Sequence, residues 1–224
     1  GRYMGNHKVR GCMRMWRLVI NLKTVSAWVV AIYLCSIINA FADEAPIATL
    51  LGSPIYSNDL TIENKVKAET KKNYPKQYAD IIEEMKKQVL AKQVIEGVLG
   101  DFFPQDVITL DSTLVAKFKA RFKNDFTEQA LSDTDTNEIA KEQVLQWQRE
   151  KALYEKFGGR VIFQQSNPLT PIEAYATLLK QYQQQGKFVI HDKDYADVFW
   201  APFTPPFTHV IPSENVNFTA PWWL

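Results

Sequence analysis

Tyr78-Ala79-Asp80-Ile81-Ile82-Glu83-Glu84-Met85-Lys86-Lys87-Gln88-Val89-Leu90-Ala91-Lys92-Gln93-Val94-Ile95-Glu96-Gly97-Val98-Leu99 decides the fold class. Ile81, Ile82, Met85 and Val89 recur at steps of three and four, and Leu90, Val94 and Val98 extend the same surface. Glu83, Glu84, Lys86 and Lys87 occupy the opposite side. That period is helical. Gly100 and Pro104 suit a helix end there.

On the N-terminal side, Ile47–Leu51 and Ile55-Tyr56 read as short strands around a Gly52-Ser53-Pro54 turn, and Ser57-Asn58-Asp59 as a helix N-cap. Residues 60–76 are lysine-rich and weakly patterned. Asp111 is a cap for a helix whose Leu114, Phe118, Phe122 and Phe126 repeat every four residues, an aromatic stripe that reads as core. Ser132–Asn137 reads as an acidic loop. A second long helix spans 139–157 and stops at Gly158-Gly159. Pro171 opens a further helix that Gly186 ends. Phe188-Val189-Ile190 is extended, and Asp192 or Asp194 caps a last helix through Trp200. From residue 204 the chain is rich in Pro, Phe and Trp and closes Pro221-Trp222-Trp223-Leu224. So apolar a tail is expected to wrap back as a strap. The fold class is mostly α: one helical domain with two or three short strands and an irregular aromatic C-terminal strap.

Upstream, residues 1–42 read as an export signal. Arg2, Lys8, Arg10, Arg14, Arg17 and Lys23 precede an apolar run from Val25 to Ile38, and Asn39-Ala40-Phe41-Ala42 follows it. A basic region, a short apolar region and a small-x-small site are the parts of a cleavable signal. Ala40 and Ala42 place the cut after Ala42. The apolar run falls short of the roughly 20 residues that span a bilayer. An uncleaved anchor is the alternative. The expected division is a signal over 1–42, a helical domain over 43–203 and the tail over 204–224.

Cleavage changes the chemistry. Without those six, the 26 basic residues become 20 against 25 acidic, a net charge of −5. An acidic domain is not built for nucleic acid or for anionic lipid. Its contact with a membrane is expected only through the transient signal. Cys12 and Cys35 both leave, so residues 43–224 have no thiol for a disulfide, a nucleophile or a metal. A thiol-free exported domain suits a bacterial periplasm.

Motifs for chemistry are sparse. His191 and His209 have no zinc-ligand spacing, and His191 beside Asp192 is ordinary for a loop before a helix. No serine sits in a Gly-x-Ser-x-Gly elbow. Gly158-Gly159-Arg160 follows a helix and cannot cradle phosphate as a P-loop does. Glu83-Glu84, Asp133-Asp135 and Asp192-Asp194 are acid pairs in solvated settings. The expectation is a non-enzyme with no cofactor or metal. The aromatic C-terminal third stands out, and Phe163, Trp200, Phe203, Phe207, Trp222 and Trp223 are its candidates for an apolar client-binding surface. The competing reading makes them the glue between tail and helices.

Ala48-Thr49-Leu50-Leu51-Gly52-Ser53-Pro54-Ile55-Tyr56-Ser57-Asn58-Asp59-Leu60, with the helices over 81–99 and 111–126, resembles the N-terminal helical region of SurA-type, parvulin-linked periplasmic chaperones. The resemblance covers roughly residues 46–126. It implies ATP-independent holding of unfolded or extended polypeptide clients, such as exported or outer-membrane proteins. The prolyl-isomerase domain of that family has no counterpart here, so isomerase activity is not implied. Residues 153–165 with Phe199-Trp200 and the closing Pro-Trp-Trp resemble small exported bacterial proteins, a match that implies export only. The leading expectation is a periplasmic, non-enzymatic protein-binding domain. The alternatives are a carboxylate-dependent envelope hydrolase and a structural partner in an envelope complex.

Overall fold

The computed structural model describes residues 45–224. The signal segment, Ala40, Ala42 and both cysteines lie outside the described residues. What is described is mostly helical, with one small antiparallel sheet.

Strands β1 (Ala48–Leu50) and β2 (Ser53–Ile55) form a hairpin in which Leu50 faces Ser53. The turn is Leu51-Gly52, with φ of 49° and 83°. Two central residues at positive φ make the tight turn that matches strand twist. This corrects the expected Gly52-Ser53-Pro54 turn: Ser53 and Pro54 already belong to β2, an edge strand, where proline is tolerated. Strand β3 (Phe188–Ile190) pairs with the other edge of β1, Leu50 opposite Phe188. Ser57–Asp59 is a single 3-10 turn rather than the cap of a helix. The Asp59 carboxylate accepts from the Tyr56 N–H at 2.8 Å and closes it.

Helix α1 (Asn64–Asn73) occupies the weakly patterned stretch and buries only Val66 and Thr70. Helix α2 (Tyr78–Phe102) is the quoted segment. Its inward residues Leu90, Val94, Val98 and Leu99 are buried as the spacing requires. Gly97 lets the hairpin approach, since a Cβ there would sit 2.7 Å from Leu50 Cδ2. The helix does not end at Gly100. Phe102 packs on Phe103 at 4.7 Å and on Phe157 at 6.0 Å, and this anchor carries the helix past the glycine.

Helix α3 (Ser112–Arg121) starts at the expected cap: Asp111 Oδ1 accepts from the N–H groups of Thr113 (2.8 Å) and Leu114 (3.0 Å). Asp111→Ala is expected to lower stability by about 1 kcal/mol, read as a shift of the urea midpoint. A shift within error would show that the cap contributes nothing. Helix α4 (Lys123–Glu128) continues after a break at Phe122, and Phe118, Phe122 and Phe126 are all buried.

Helix α5 (Asp133–Phe157) begins six residues before the expected 139. Ser132 is its cap, with Ser132 Oγ accepting from the Asp135 N–H at 3.1 Å. The acidic stretch expected as a loop is therefore the first turn, where carboxylates meet the positive end of the helix dipole. Gly158 and Gly159 stop the helix at φ of 61° and 86°. Helix α6 (Ile172–Gln184) follows Pro171, and α7 (Lys193–Trp200) is capped by Asp192, not Asp194.

Two apolar clusters result. The first joins the hairpin, α2, the end of α5, α6, β3, α7 and Phe203. The second holds Val115, Phe118, Phe122, Phe126, Ala140, Val144, Trp147 and Trp223. Helix α5 serves both. The tail is the expected strap: Ile211 N–H donates to Val161 O (2.8 Å), Phe218 stacks on Tyr154 at 4.9 Å, and Trp223 ends in the second cluster.

Candidate functional site

A cleft of about 610 Å³ opens between α2, α5, α6, the end of α7 and the 164–170 loop. That size is ordinary for a ligand site. Ala91, Ile95 and Leu99 of α2, Leu145 of α5, Ile172 of α6, and Val198, Phe199, Pro202 and Phe203 form apolar walls. The polar lining comes from inward helix faces, with Gln88, Lys92 and Glu96 on α2, Glu142, Gln146, Arg149 and Glu150 on α5, and Tyr175 on α6, and from Gln164, Asn167 and Thr170 of the loop.

Glu150 is the chemical centre. It is 3% exposed. Oε1 accepts from Tyr175 Oη (2.9 Å), Asn167 Nδ2 (2.9 Å) and Gln146 Nε2 (3.1 Å), and Oε2 accepts from Asn167 Nδ2 at 2.8 Å. Burial pushes the carboxyl up to about 7, against the pull of those hydrogen bonds. Burial and the adjacent carboxylate raise the Tyr175 phenol well above its ordinary value, so it stays a donor. Asn167 reaches the carboxyl because the loop is pinned: Ile162 and Thr170 exchange backbone hydrogen bonds at 2.9 and 3.0 Å, and Gln164 and Asn167 pair inside them.

The rim carries both signs. Arg149 Nη1 lies 3.3 Å from Glu96 Oε2, while Arg149 Nε is buried with no hydrogen-bond partner. Partial desolvation, opposed by Lys92 and aided by Glu96 and Glu138, raises the Glu142 carboxyl above its ordinary value. Among the described residues no group of three or more His, Cys, Asp or Glu side chains could hold a metal ion, and no helix is long and apolar enough to cross a membrane.

No family model, no curated protein and no solved structure matches this chain. The site must therefore be read from its own geometry.

The six aromatic candidates do not converge. Phe203 lines the cleft but is buried. Trp200 is half-buried against Phe199 at 5.0 Å and Phe188 at 6.3 Å. Phe207 lies under the Arg160 guanidinium at 4.7 Å. Trp222 rests on Phe122 at 6.2 Å, and Trp223 is buried. Phe163 is exposed, beside the strap. The set thus divides between the two clusters and the surface.

The other singled-out groups have local work. His191 Nε2 lies 3.0 Å from Thr49 Oγ1, while Asp192 caps α7, so the two form no acid–base pair. Glu83 accepts from Tyr195 Oη at 2.7 Å, Glu84 pairs with Lys87 at 3.3 Å, and Asp133 and Asp135 lie in the first turn of α5. None of these acids lines the cleft. Glu150 escaped notice in the sequence, although one signal was present. It follows Val144 and Trp147 at steps of three and precedes Leu153 by three, which puts a carboxylate on the inward stripe.

Proposed function

We propose that this chain is an exported, non-enzymatic binding protein of the bacterial periplasm, and that it holds extended segments of unfolded clients in the cleft without ATP. The observation that carries the reading is the cleft itself: apolar walls with polar and charged side chains set among them, a make-up that suits recognition of a polypeptide segment. The cleft rather than the tail takes this role, because Trp223 is closed off within the second cluster.

The test fills the cleft. The described domain should suppress aggregation of a denatured outer-membrane protein at near-stoichiometric ratio. Ala91→Trp, which places an indole in the cleft, should abolish suppression while leaving the circular dichroism spectrum unchanged. Equal suppression by the variant, or none by the parent, would sink the reading.

One observation favours a second reading. A carboxyl that titrates near neutrality inside a cleft is suited to general acid–base work. A carboxylate-dependent envelope hydrolase would release soluble fragments from purified cell-wall material and would lose that activity in Glu150→Gln.

A further inference from the structure

The hydrogen bonds of the Glu150 carboxylate are uneven: Oε1 accepts from three donors and Oε2 from one. None of its four hydrogen bonds comes from a cation: the donors are the neutral Gln146, Asn167 and Tyr175. A buried carboxylate with no countercharge is unfavourable, so it either takes a proton or pairs with an arriving cation.

The charged groups around the cleft do not supply one. On α2 they are Lys92 and Glu96; on α5, besides Glu150, Glu142 and Arg149. Tyr175 is the one titratable group from α6, and the lining from the loop and from 198–203 is uncharged. Arg149 is engaged by Glu96. Three carboxylates thus face two cations, one of them committed to the rim. Apolar walls and Glu150 line the same cleft, and such walls suit the methylene stem of a long basic side chain while its head takes the polar group.

We propose that the cleft selects client segments through a lysine or arginine side chain, whose charged head donates to Glu150 while its stem lies along Leu99, Ile172 and Phe203. This rests on the reading of the cleft as a client-binding site. Only the ionised carboxylate accepts such a partner in full, so the cation competes with a proton. Capture near neutral pH releases that proton, and binding weakens as the medium becomes more acidic.

The experiment uses the described chain and three blocked heptapeptides of alternating Leu and Ala, with Lys, norleucine or Glu at the centre. Isothermal titration at about pH 8 should give the lysine peptide about tenfold or more higher affinity than the norleucine peptide. The glutamate peptide should bind weakest. Lowering the pH from about 8 to about 6 should weaken the lysine peptide roughly tenfold and leave the norleucine peptide unchanged. Glu150→Gln should erase the preference. If that variant does not fold, the pH comparison on the parent chain still decides.

Equal binding of lysine and norleucine peptides would overturn the selection and leave the client-binding reading standing. No binding of any peptide would overturn both. Butylamine binding as tightly as the lysine peptide would assign the cleft to small amines and overturn the polypeptide class.

Discussion

Trp223→Ala lowers the stability of the folded chain by about 3–5 kcal/mol, the usual range for deleting a buried aromatic side chain. Trp223 is 3% exposed, and its ring meets Phe118 edge-on at 5.2 Å and Trp147 at 6.3 Å. It fills the seam where α3 packs on α5. Truncation leaves a cavity bounded by two helices that cannot both close on it. A companion variant separates packing from polarity. Trp223 Nε1 and Trp147 Nε1 are both buried without a hydrogen-bond partner. An unsatisfied buried donor costs about 1–3 kcal/mol. Trp223→Phe removes one such donor and keeps an aromatic ring, so it should be far milder than Trp223→Ala. Urea unfolding reads both, through the midpoint at constant slope. A Trp223→Ala midpoint equal to that of the parent would mean that the strap is no part of the core.

The second large effect is a dependence of stability on pH that runs opposite to ordinary acid denaturation. Glu150 has a folded value of about 7 against an ordinary 4.5. Between those values the folded chain binds more protons than the unfolded one, so stability rises as pH falls through this window. The gain is about 3 kcal/mol, complete below about pH 4.5 and absent well above 7. Asp101 and Glu173 work the other way. Tyr182 and Lys187 hold Asp101 below its ordinary value, and Arg160 does the same for Glu173. Their contribution is present above the ordinary values of 3.8 and 4.5 and is lost as pH falls through the lower folded ones. Stability should therefore peak near about pH 5. Urea midpoints across a pH series should show that peak, and Glu150→Gln should flatten the rise between 7 and 4.5. A parent whose stability instead climbs steadily from pH 5 to 8 would contradict the buried, uncompensated carboxyl.

The helices that bury a full stripe are legible in the sequence. Leu90, Val94 and Val98 on α2, and Phe118 and Phe126 on α3 and α4 with Phe122 between them, announce themselves by spacing and are buried. Asp111 and the Gly158-Gly159 pair mark ends that the backbone respects. Local reading failed where a contact distant in the chain decides the outcome. Helix α1 has one inward turn, Val66 and Thr70, too little for a period to register. Gly100 is a good helix stop by itself, yet Phe157 holds Phe102 in place beyond it. Ser132-Asp133-Thr134-Asp135 is a capping box as readily as a polar loop, and only the helix behind it distinguishes the two. The cleft was the least legible. Glu150 acquires its character from Asn167 and Tyr175, which lie 17 and 25 residues away. The tail's aromatic composition announces a strap, but not that its last tryptophan lodges against Phe118 of α3 and Trp147 of α5.

Helix α5, about 37 Å long at 1.5 Å per residue, is one rod through both clusters. The segment from Phe203 to Trp223 is a second tie between the same two ends, fastened on its way by Phe218 on Tyr154. Two ties in parallel make a closed frame, and a closed frame resists torsion that a single rod would permit. Neither end can swivel without straining the other, so amide protons in α3 and α6 should exchange with one shared opening free energy.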